Sequence, residues 1–363
     1  PVAFTMARGS YVLVKRNFPK CLYFNTMQRS GGLRERPFPC SSRFEGFAPT
    51  PMYIKGERSG PRTMSDESLI AKSSTLGGSA FLDAEKNNDQ HIVDTLIEER
   101  CPKLRGSWSW PLVRPVLYKT LGYRRAREMA DTIMQLNGRD SFDHLSRQLN
   151  FSLEVDGLER LPSAGRVIIA ANHPTGLADG VAVWDLLKQV RQDIVFFANA
   201  DAIRVNPNFQ DVIIPVEWVA EKRTPAKTRE TLKRAGQAFA EEKCVVIFPS
   251  GRLAKKEDGR LVEKDWFSTV VGLARKQKTP VLPLNLDAWN SRLFYFLSEL
   301  NPELRDITLF HELLNKRGAQ VRMTFGQMIH PDQLAGDAIE LTEKLKHHVA
   351  YDLGRDRFAV FEP

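Results

Sequence analysis

Short apolar runs alternate with amphipathic stretches along the chain from about residue 155 to its end. Such runs favour buried strands, which we expect at 166–171, 194–198, 212–215, 244–248, 281–287 and 319–325. Helical spacing between apolar positions predicts helices over 178–192, 226–242 and 338–355. Strands that alternate with helices in this order predict an α/β fold, with a mostly parallel β-sheet flanked by helices.

The residues before this predicted α/β domain, which spans 155–363, include an N-terminal helical region over 64–154. Within it, 108–136 mixes aromatic and aliphatic side chains with cations, as at Trp108 and Arg114. That mixture is typical of a helix lying on a membrane surface, and equally of a helix packed on the body with a solvated basic face. Both interpretations stay open from the sequence.

Residues 1–63 carry all of the chain's excess charge. The 363 residues include 52 Lys and Arg against 44 Asp and Glu, a net charge of +8. Residues 1–63 hold eleven of these bases and only three of the acids, so residues 64–363 carry no net charge. The charge of that larger part therefore gives no argument for nucleic-acid binding. The segment is rich in Pro, Gly, Ser and Arg and lacks periodicity, which predicts a disordered extension. We interpret it as lying upstream of a natural start at Met64 or, second, as an organelle transit peptide.

The sequence predicts neither a membrane span nor a metal site. No stretch approaches the roughly 18–20 consecutive apolar residues that a membrane helix requires, so a lipid substrate would be reached from the surface. The four cysteines have no metal-ligand spacing and no framework of pairs, which predicts a reducing compartment. They are Cys21, Cys40, Cys101 and Cys244, of which Cys244 lies in a strand-like run as a predicted small core residue.

His173 is the strongest candidate for chemistry. It lies in Ala-Asn-His-Pro-Thr-Gly-Leu-Ala-Asp-Gly at 171–180, between a predicted strand and a predicted helix. That position is the carboxyl edge of the sheet, where α/β enzymes place their chemistry. Asp179 can fold back and orient the imidazole, and a His oriented by an Asp is a general base. The alternative is a loop His that caps a turn.

A second candidate segment, Pro249-Ser250-Gly251-Arg252, follows the apolar run at 244–248. Its small residues allow backbone amides to approach an anion, and Arg252 can hold a phosphate through two hydrogen bonds. Alternatively, Arg252 pairs with Asp265 and stabilises the loop. Ser250 suggests a hydrolase nucleophile, but Phe248 occupies the first glycine position that the nucleophile elbow needs.

Taken in order, three motifs resemble the glycerolipid acyltransferase superfamily, which includes glycerol-3-phosphate and lysophosphatidate acyltransferases. They are His-Pro-Thr-Gly-Leu-Ala-Asp at 173–179, Phe-Pro-Ser-Gly-Arg at 248–252 and Val-Leu-Pro-Leu at 281–284. The segments 290–295 and 312–318 further resemble the bacterial hemolysin-like branch. The similarity covers about 155–330 and is specific as an ordered set.

The resemblance implies that His173 removes the proton of an acceptor hydroxyl while Asp179 orients the ring. The hydroxyl would then attack the thioester of an acyl-CoA or acyl carrier protein, which acts as co-substrate without a further cofactor. It also implies a substrate-binding set for the acceptor and the acyl chain. We predict Asn172, Gly176, Arg204, Ser250, Gly251, Arg252, Pro283, Asn290 and Ser291 for this set, with Arg204 as a second phosphate contact or a solvent-facing cation.

Two departures from the family pattern put the acceptor in doubt more than the reaction. Five residues separate His173 from Asp179 where the usual motif has four, and Ser250 stands where the usual Phe-Pro-Glu-Gly-Thr-Arg motif has Glu. The leading hypothesis is O-acylation of a glycerol-phosphate or lysophospholipid acceptor. The alternatives are acylation of a lyso-aminolipid such as lyso-ornithine lipid, a non-catalytic lipid-binding protein, and a hydrolase built on Ser250.

The expected partners are therefore a membrane surface with its lipid acceptor and the acyl thioester, and not a nucleic acid. We expect the protein on the cytoplasmic face of the inner membrane, or in an organelle if 1–63 is a transit peptide.

Overall fold

The computed structural model describes residues 4–7, 10–13, 90–217 and 220–363. The chain divides into one unit of Pro1–Arg16 with Gly78–Pro363 and a second of Asn17–Gly77. The second unit lies outside the described residues, and the fold below belongs to the first.

A nine-stranded sheet forms the centre of the part of the chain that the structure describes. Its strands are β1 (Phe4–Ala7), β2 (Ser10–Leu13), β3 (Ser152–Asp156), β4 (Val167–Ala171), β5 (Ile194–Asn199), β6 (Ile213–Val216), β7 (Cys244–Ile247), β10 (Val281–Asp287) and β11 (Gln320–Phe325). A separate antiparallel hairpin consists of β8 (Lys255–Glu257) and β9 (Arg260–Val262). The order across the large sheet is β1-β2-β3-β11-β10-β4-β7-β5-β6.

Helices cover both faces of this sheet. They are α1 (Ile92–Arg100), α2 (Pro102–Arg105), α3 (Trp110–Thr120), α4 (Tyr123–Met134), α5 (Gly138–Leu149), α6 (Leu177–Leu187), α7 (Asp201–Val205), α8 (Pro225–Ala240), α9 (Thr269–Gln277), α10 (Arg292–Leu300), α11 (Pro302–Ile307), α12 (Leu309–Asn315), α13 (Ala338–His347) and α14 (Leu353–Arg355). A π-helical turn at His348–Asp352 joins the last two.

Strand direction decides which loops meet at one edge of the sheet. β10, β4, β7, β5 and β6 are mutually parallel, so their carboxyl ends lie together. β11 runs antiparallel to β10, and β3 runs parallel to β11. The starts of β11 and β3 therefore lie at the same edge as the carboxyl ends of β4 and β10. We call this the carboxyl edge.

The central strand β4 is buried on both faces, which explains its uninterrupted apolar sequence. Val167, Ile169 and Ala171 belong to a core that also holds Leu186 of α6. Ile168 and Ala170 belong to a second core, with residues of α8, α9 and α13. One strand thus serves two hydrophobic cores, as the alternation of side chains in a strand requires.

The predicted fold class, a mostly parallel sheet flanked by helices, is confirmed. Strands are found at all six predicted positions, within one or two residues. The helix predicted over 178–192 ends at Leu187, because the chain then turns through the buried Arg191. The guanidinium of Arg191 binds the carbonyls of Pro162 and Gly165, which fixes that turn.

Residues 4–7 and 10–13 form two paired antiparallel strands within the segment that is predicted to be a disordered extension. β2 pairs antiparallel with β3, with Tyr11 opposite Val155 and Leu13 opposite Leu153. The rest of 1–63 lies outside the described residues, so its disorder and its origin stay predictions.

The region 108–136 forms two helices of different character. In α4, Ala126, Met129 and Ile133 are buried against the body while the arginines face outward. In α3, Leu112 is 72% exposed and Val116 is 62% exposed. The break between the helices is at Gly122, which has a φ of 68°.

Candidate active site

The loop after β4 places His173 at the carboxyl edge, as predicted. Gly176 has a φ of 90° and a ψ of −128°, a backbone conformation that residues with a side chain rarely adopt. A Cβ at this position would also lie 2.8 Å from the Leu253 side chain. The structure therefore needs glycine at 176 for the loop conformation itself, and α6 begins directly after it.

The Asp179 carboxylate fixes this loop from inside. It is 1% exposed, and Oδ2 accepts hydrogen bonds from the backbone amides of Thr175 at 2.8 Å and Gly176 at 2.9 Å. Oδ1 accepts a hydrogen bond from the Thr175 hydroxyl. Three donors from the same loop thus hold the carboxylate in place, at the amino end of α6, where negative charge is favoured.

His173 and Asp179 come together as the sequence predicts. The ring Nδ1 lies 3.0 Å from Asp179 Oδ2, and the imidazole is 20% exposed. Nδ1 is buried, and its direction does not meet the angle of a hydrogen bond, so the contact is electrostatic. Because Nδ1 faces the carboxylate, Nε2 is the nitrogen left to exchange a proton with a substrate. The ring stacks on Phe248 with the centroids 4.4 Å apart.

Glu263 belongs to this site, and the sequence analysis missed it. This buried carboxylate lies just beyond the β8–β9 hairpin and accepts the backbone amide of His173 at 3.2 Å. It also accepts the indole N–H of Trp266 at 3.4 Å. Burial raises the pKa of Glu263, while its contacts with Ser250 and His173 oppose that rise. A carboxylate ninety residues along the chain thus lies beside His173.

The Phe248–Arg252 loop carries its side chains in different directions. Ser250 is 2% exposed, and its hydroxyl donates to the carbonyl of Arg252 at 2.8 Å. Gly251 has a φ of 56° and donates its amide to the Phe248 carbonyl. Ser250 therefore shapes the turn, and this geometry gives no support to a Ser250 nucleophile.

The Arg252 side chain is exposed, and its guanidinium makes no hydrogen bond or ion pair with the described part of the chain. Asp265, its alternative partner, instead pairs with Lys346 at 3.2 Å. The β8–β9 hairpin next to Arg252 adds Lys255, whose contact with Lys264 lowers the pKa of Lys264. The mouth of the site is therefore cationic and open to an anion, as the sequence predicts.

Asn172 and Pro283 hold the sheet edge. Both ends of the Asn172 amide bind the backbone of Leu286, the nitrogen at 2.9 Å and the oxygen at 2.7 Å. Pro283 of β10 is buried opposite Ala170 of β4, and its carbonyl accepts a hydrogen bond from the amide of Gly326. Their predicted roles in substrate binding stay predictions, and the contacts shown are structural.

Asn290 and Ser291 enter a buried polar network with α12. The Ser291 hydroxyl donates to Glu312 at 2.6 Å, and Lys316 donates to Asn290 Oδ1 at 3.1 Å and to Glu312 at 3.0 Å. The Ser291 hydrogen bonds and the Lys316 charge lower the pKa of Glu312 against the opposing effect of burial. Asn290 Nδ2 is buried without a hydrogen-bond partner among the described residues, which leaves it a donor for a polar group. Tyr295, whose hydroxyl accepts the amide of Asn290, links this network to the site.

Arg204 does not extend free toward a phosphate. Its guanidinium makes two hydrogen bonds to Glu99 of α1, at 2.7 and 2.9 Å, and one to Asp201 at 3.1 Å. The bonds from Arg204 lower the pKa of Glu99 to about 2. In this arrangement Arg204 joins α7 to α1, so its predicted phosphate contact has no support from the geometry.

The described residues include neither a membrane-spanning helix nor a cluster of metal ligands. No helix among them is long and apolar enough to cross a membrane. The same residues contain no group of three or more His, Cys, Asp or Glu side chains that could hold a metal ion. Cys101 and Cys244 are buried free thiols, and burial raises the pKa of Cys244 to about 12.

Comparison with known proteins finds a family model that matches the part of the chain carrying this site. Residues 152–287, which include the His173 loop, the Arg252 loop and β10, match the family model described as Acyltransferase. The matched segment is an acyltransferase domain. The predicted resemblance and the predicted enzyme class are thereby confirmed.

Two lyso-glycine lipid O-acyltransferases are similar to this acyltransferase. The protein from Phocaeicola vulgatus is 26% identical over 199 residues, which cover 53% of this chain and 69% of that relative. The protein from Bacteroides thetaiotaomicron is 24% identical over 198 residues, covering 53% and 71%. The crystal structure of the 1-acyl-sn-glycerophosphate acyltransferase PlsC from Thermotoga maritima aligns at 16% identity and a TM-score of 0.38, over 71% of this chain and 95% of that one.

Proposed function

We propose that this acyltransferase moves a fatty acyl group from a thioester to the hydroxyl of a lysolipid, with His173 as the general base. The observation that carries the proposal is the 3.0 Å contact between His173 Nδ1 and the buried Asp179 carboxylate. A positioned base of this kind typically contributes about 10²–10⁴-fold in rate.

The reaction needs no protein nucleophile. His173 Nε2 takes the proton of the acceptor hydroxyl as its oxygen attacks the thioester carbonyl, and Asp179 stabilises the imidazolium that forms. The new C–O bond replaces the C–S bond, and the proton passes from His173 to the departing thiolate. A thioester is already activated, so a base and accurate positioning suffice. The donor is acyl-CoA or acyl carrier protein.

We propose a lyso-aminolipid as the acceptor, ahead of a glycerol phosphate. The similar proteins are named lyso-glycine lipid O-acyltransferases, and an aminolipid of that kind carries a carboxylate. Arg252 supplies an exposed guanidinium that suits a carboxylate as well as a phosphate. The glycerol-phosphate alternative rests on the same cation, so Arg252 alone does not discriminate between them.

We also propose that α3 attaches the protein to a membrane surface. Leu112 and Val116 are exposed on α3, and Trp108 just before it is 87% exposed. Lys119 adds a cation at the same helix. Exposed apolar side chains beside cations are what a surface-bound helix requires. We likewise propose that this membrane is the cytoplasmic face of the inner membrane, or an organelle membrane if 1–63 is a transit peptide.

The test is an acceptor screen with purified protein. Labelled acyl-CoA and labelled acyl carrier protein would each be offered with lyso-glycine lipid, lyso-ornithine lipid, glycerol 3-phosphate and lysophosphatidate. Lipid mass spectrometry would then identify the products. We expect the acyl group in ester linkage on a lyso-aminolipid. Transfer only to glycerol 3-phosphate or lysophosphatidate would contradict the lyso-aminolipid proposal and support the glycerol-phosphate alternative. Thioester consumption without any acylated lipid would contradict acyl transfer, and binding of lipid without turnover would indicate a lipid-binding protein.

A further inference from the structure

A second candidate binding site lies between α4, α5 and the end of α12. It is a surface cavity of about 280 Å³, and three of its lining residues are Arg125, Arg147 and Arg317. We call it the arginine pocket. Its other lining residues include the apolar Met129 and Leu149.

The three guanidiniums of the arginine pocket lack anionic partners. Among the described residues, none of them makes a hydrogen bond or an ion pair. Arg147 acts on Asp143 only through longer-range electrostatics. Glu128 also lines the cavity, but its carboxylate pairs with Arg124 at 2.9 Å.

Three less exposed arginines elsewhere in the fold are paired closely with acids. Arg100, Arg191 and Arg234 each lie within 2.7 Å of a carboxylate oxygen. Like charges that converge on one cavity repel each other, and an anion bound between them relieves that repulsion. The absence of a carboxylate partner for three cations that line one cavity therefore points to an anionic ligand.

Sheet topology places the arginine pocket at the carboxyl edge. Arg317 comes just before β11, and Arg147 comes shortly before β3, whose starts lie at that edge. The two segments are tied by the Gly318 amide, which donates to the Leu149 carbonyl at 2.7 Å. Lys316, next to Arg317, reaches the Asn290 network, so the pocket adjoins the acyl-transfer site without being part of it.

The pocket also lies near the end of α3. Leu314, which lines the cavity, lies 3.8 Å from the position a Cβ would take at Gly122, between α3 and α4. A group held in the pocket would therefore lie near the carboxyl end of the helix that carries exposed Leu112 and Val116.

We infer that the arginine pocket binds a phosphate-bearing anion of headgroup size. Guanidiniums bind phosphate oxygens through paired, charge-assisted hydrogen bonds. The volume is slightly below the roughly 300–1,000 Å³ of pockets that bury whole small molecules, which suits a headgroup better than a complete lipid. The phosphate can belong to a membrane lipid or to a soluble molecule. The inference goes beyond the proposed acyl transfer and does not depend on it.

The test compares two triple variants of the full chain. The first is Arg125→Gln with Arg147→Gln and Arg317→Gln. The matched control, Arg229→Gln with Lys233→Gln and Lys276→Gln, removes the same charge from exposed positions on α8 and α9. Binding would be measured by co-sedimentation with phosphatidylcholine vesicles, with or without phosphatidylglycerol, and by calorimetry with glycerol 3-phosphate.

We expect the pocket variant to lose about tenfold or more in affinity for the phosphatidylglycerol vesicles, and the control variant to lose much less. A loss confined to glycerol 3-phosphate would support the pocket with a soluble ligand. Equal losses in both variants, or no binding of either phosphate by the unmodified protein, would overturn the inference.

Two further measurements separate this result from other failures. The melting temperature of the pocket variant checks its folding, and an Arg125→Gln with Arg317→Gln variant avoids any effect on Asp143. Acyl transfer to an acceptor in uncharged detergent micelles should be unchanged in these variants. Lost binding with retained transfer would assign the pocket, whereas transfer absent from the unmodified protein would count only against the proposed function.

Discussion

Replacing Asp179 by Asn tests the site at its best-defined contact. The substitution removes the negative charge that lies 3.0 Å from His173 Nδ1 and keeps the size of the side chain. The amide oxygen can still accept the backbone amides of Thr175 and Gly176. The amide nitrogen can donate to the Thr175 hydroxyl, which then acts as acceptor. The loop is therefore expected to keep its conformation while the ring loses its counter-charge.

The expected magnitude follows from that lost charge. Hydrogen bonds to charged groups contribute about 1.5–3 kcal/mol. We assign a similar value to the ionic contact between Asp179 and the imidazolium, which forms only when the proton is transferred. At about 1.4 kcal/mol per decade, kcat should fall roughly 10- to 100-fold. The KM for the lipid acceptor should change little, because Asp179 is 1% exposed and is surrounded by its own loop.

Asp185→Asn on the same helix is the matched control. Asp185 is also fully buried, but its carboxylate accepts the Ser146 hydroxyl at 2.5 Å and lies 3.3 Å from Lys188. This variant should lower the melting temperature and keep its kcat. The assay is steady-state acyl transfer beside thermal unfolding of both variants. An unchanged kcat in Asp179→Asn, or an equal loss of kcat in both variants, would refute the assigned role of Asp179.

Three other predictions concern the acid beside the loop, the mouth of the site and the N-terminal extension. Because burial raises the pKa of Glu263, the folded protein keeps this proton to higher pH than the unfolded chain, and stability is lost as pH rises from the ordinary Glu value through the raised one. As pH rises through that window, the unfolding free energy of the unmodified protein should therefore fall relative to that of Glu263→Gln. Parallel pH curves for the two proteins would contradict this. Arg252→Ala should raise the acceptor KM by about one to two decades and leave the donor KM unchanged, and Arg252→Lys should recover part of the loss. An equal rise in the KM for both substrates would instead favour a structural role for this arginine. Deleting 1–63 should preserve kcat, since the site residues lie between 172 and 316, and a truncated protein without activity would show that the hairpin paired with β3 is required.

The sequence was most informative where function depends on neighbours along the chain. His173 and Asp179 lie six residues apart on a strand-to-helix loop, so their contact follows from local structure alone. β3 was missed although Leu153 and Val155 alternate with polar residues, because a single short strand gives a weak periodic signal.

Contacts between distant segments could not be predicted in this way. Glu263 reaches His173 across ninety residues because the β8–β9 hairpin turns the chain back, and nothing in its local sequence indicates that. Arg204 fits a motif by position, but Glu99 from α1 takes its guanidinium. Tertiary packing decides which cation is paired and which is free, so the sequence alone could not predict the pairing of these arginines.

The most direct test of the central claim is single-turnover acyl transfer by His173→Gln. The protein would be given a labelled acyl thioester and the acceptor found in the screen, and the esterified lipid would be quantified by mass spectrometry. Gln cannot accept a proton as imidazole does, so the account predicts a rate lower by about 10²–10⁴-fold in a folded protein with normal substrate binding. A rate near that of the unmodified enzyme would contradict the account, because the base would then be another residue.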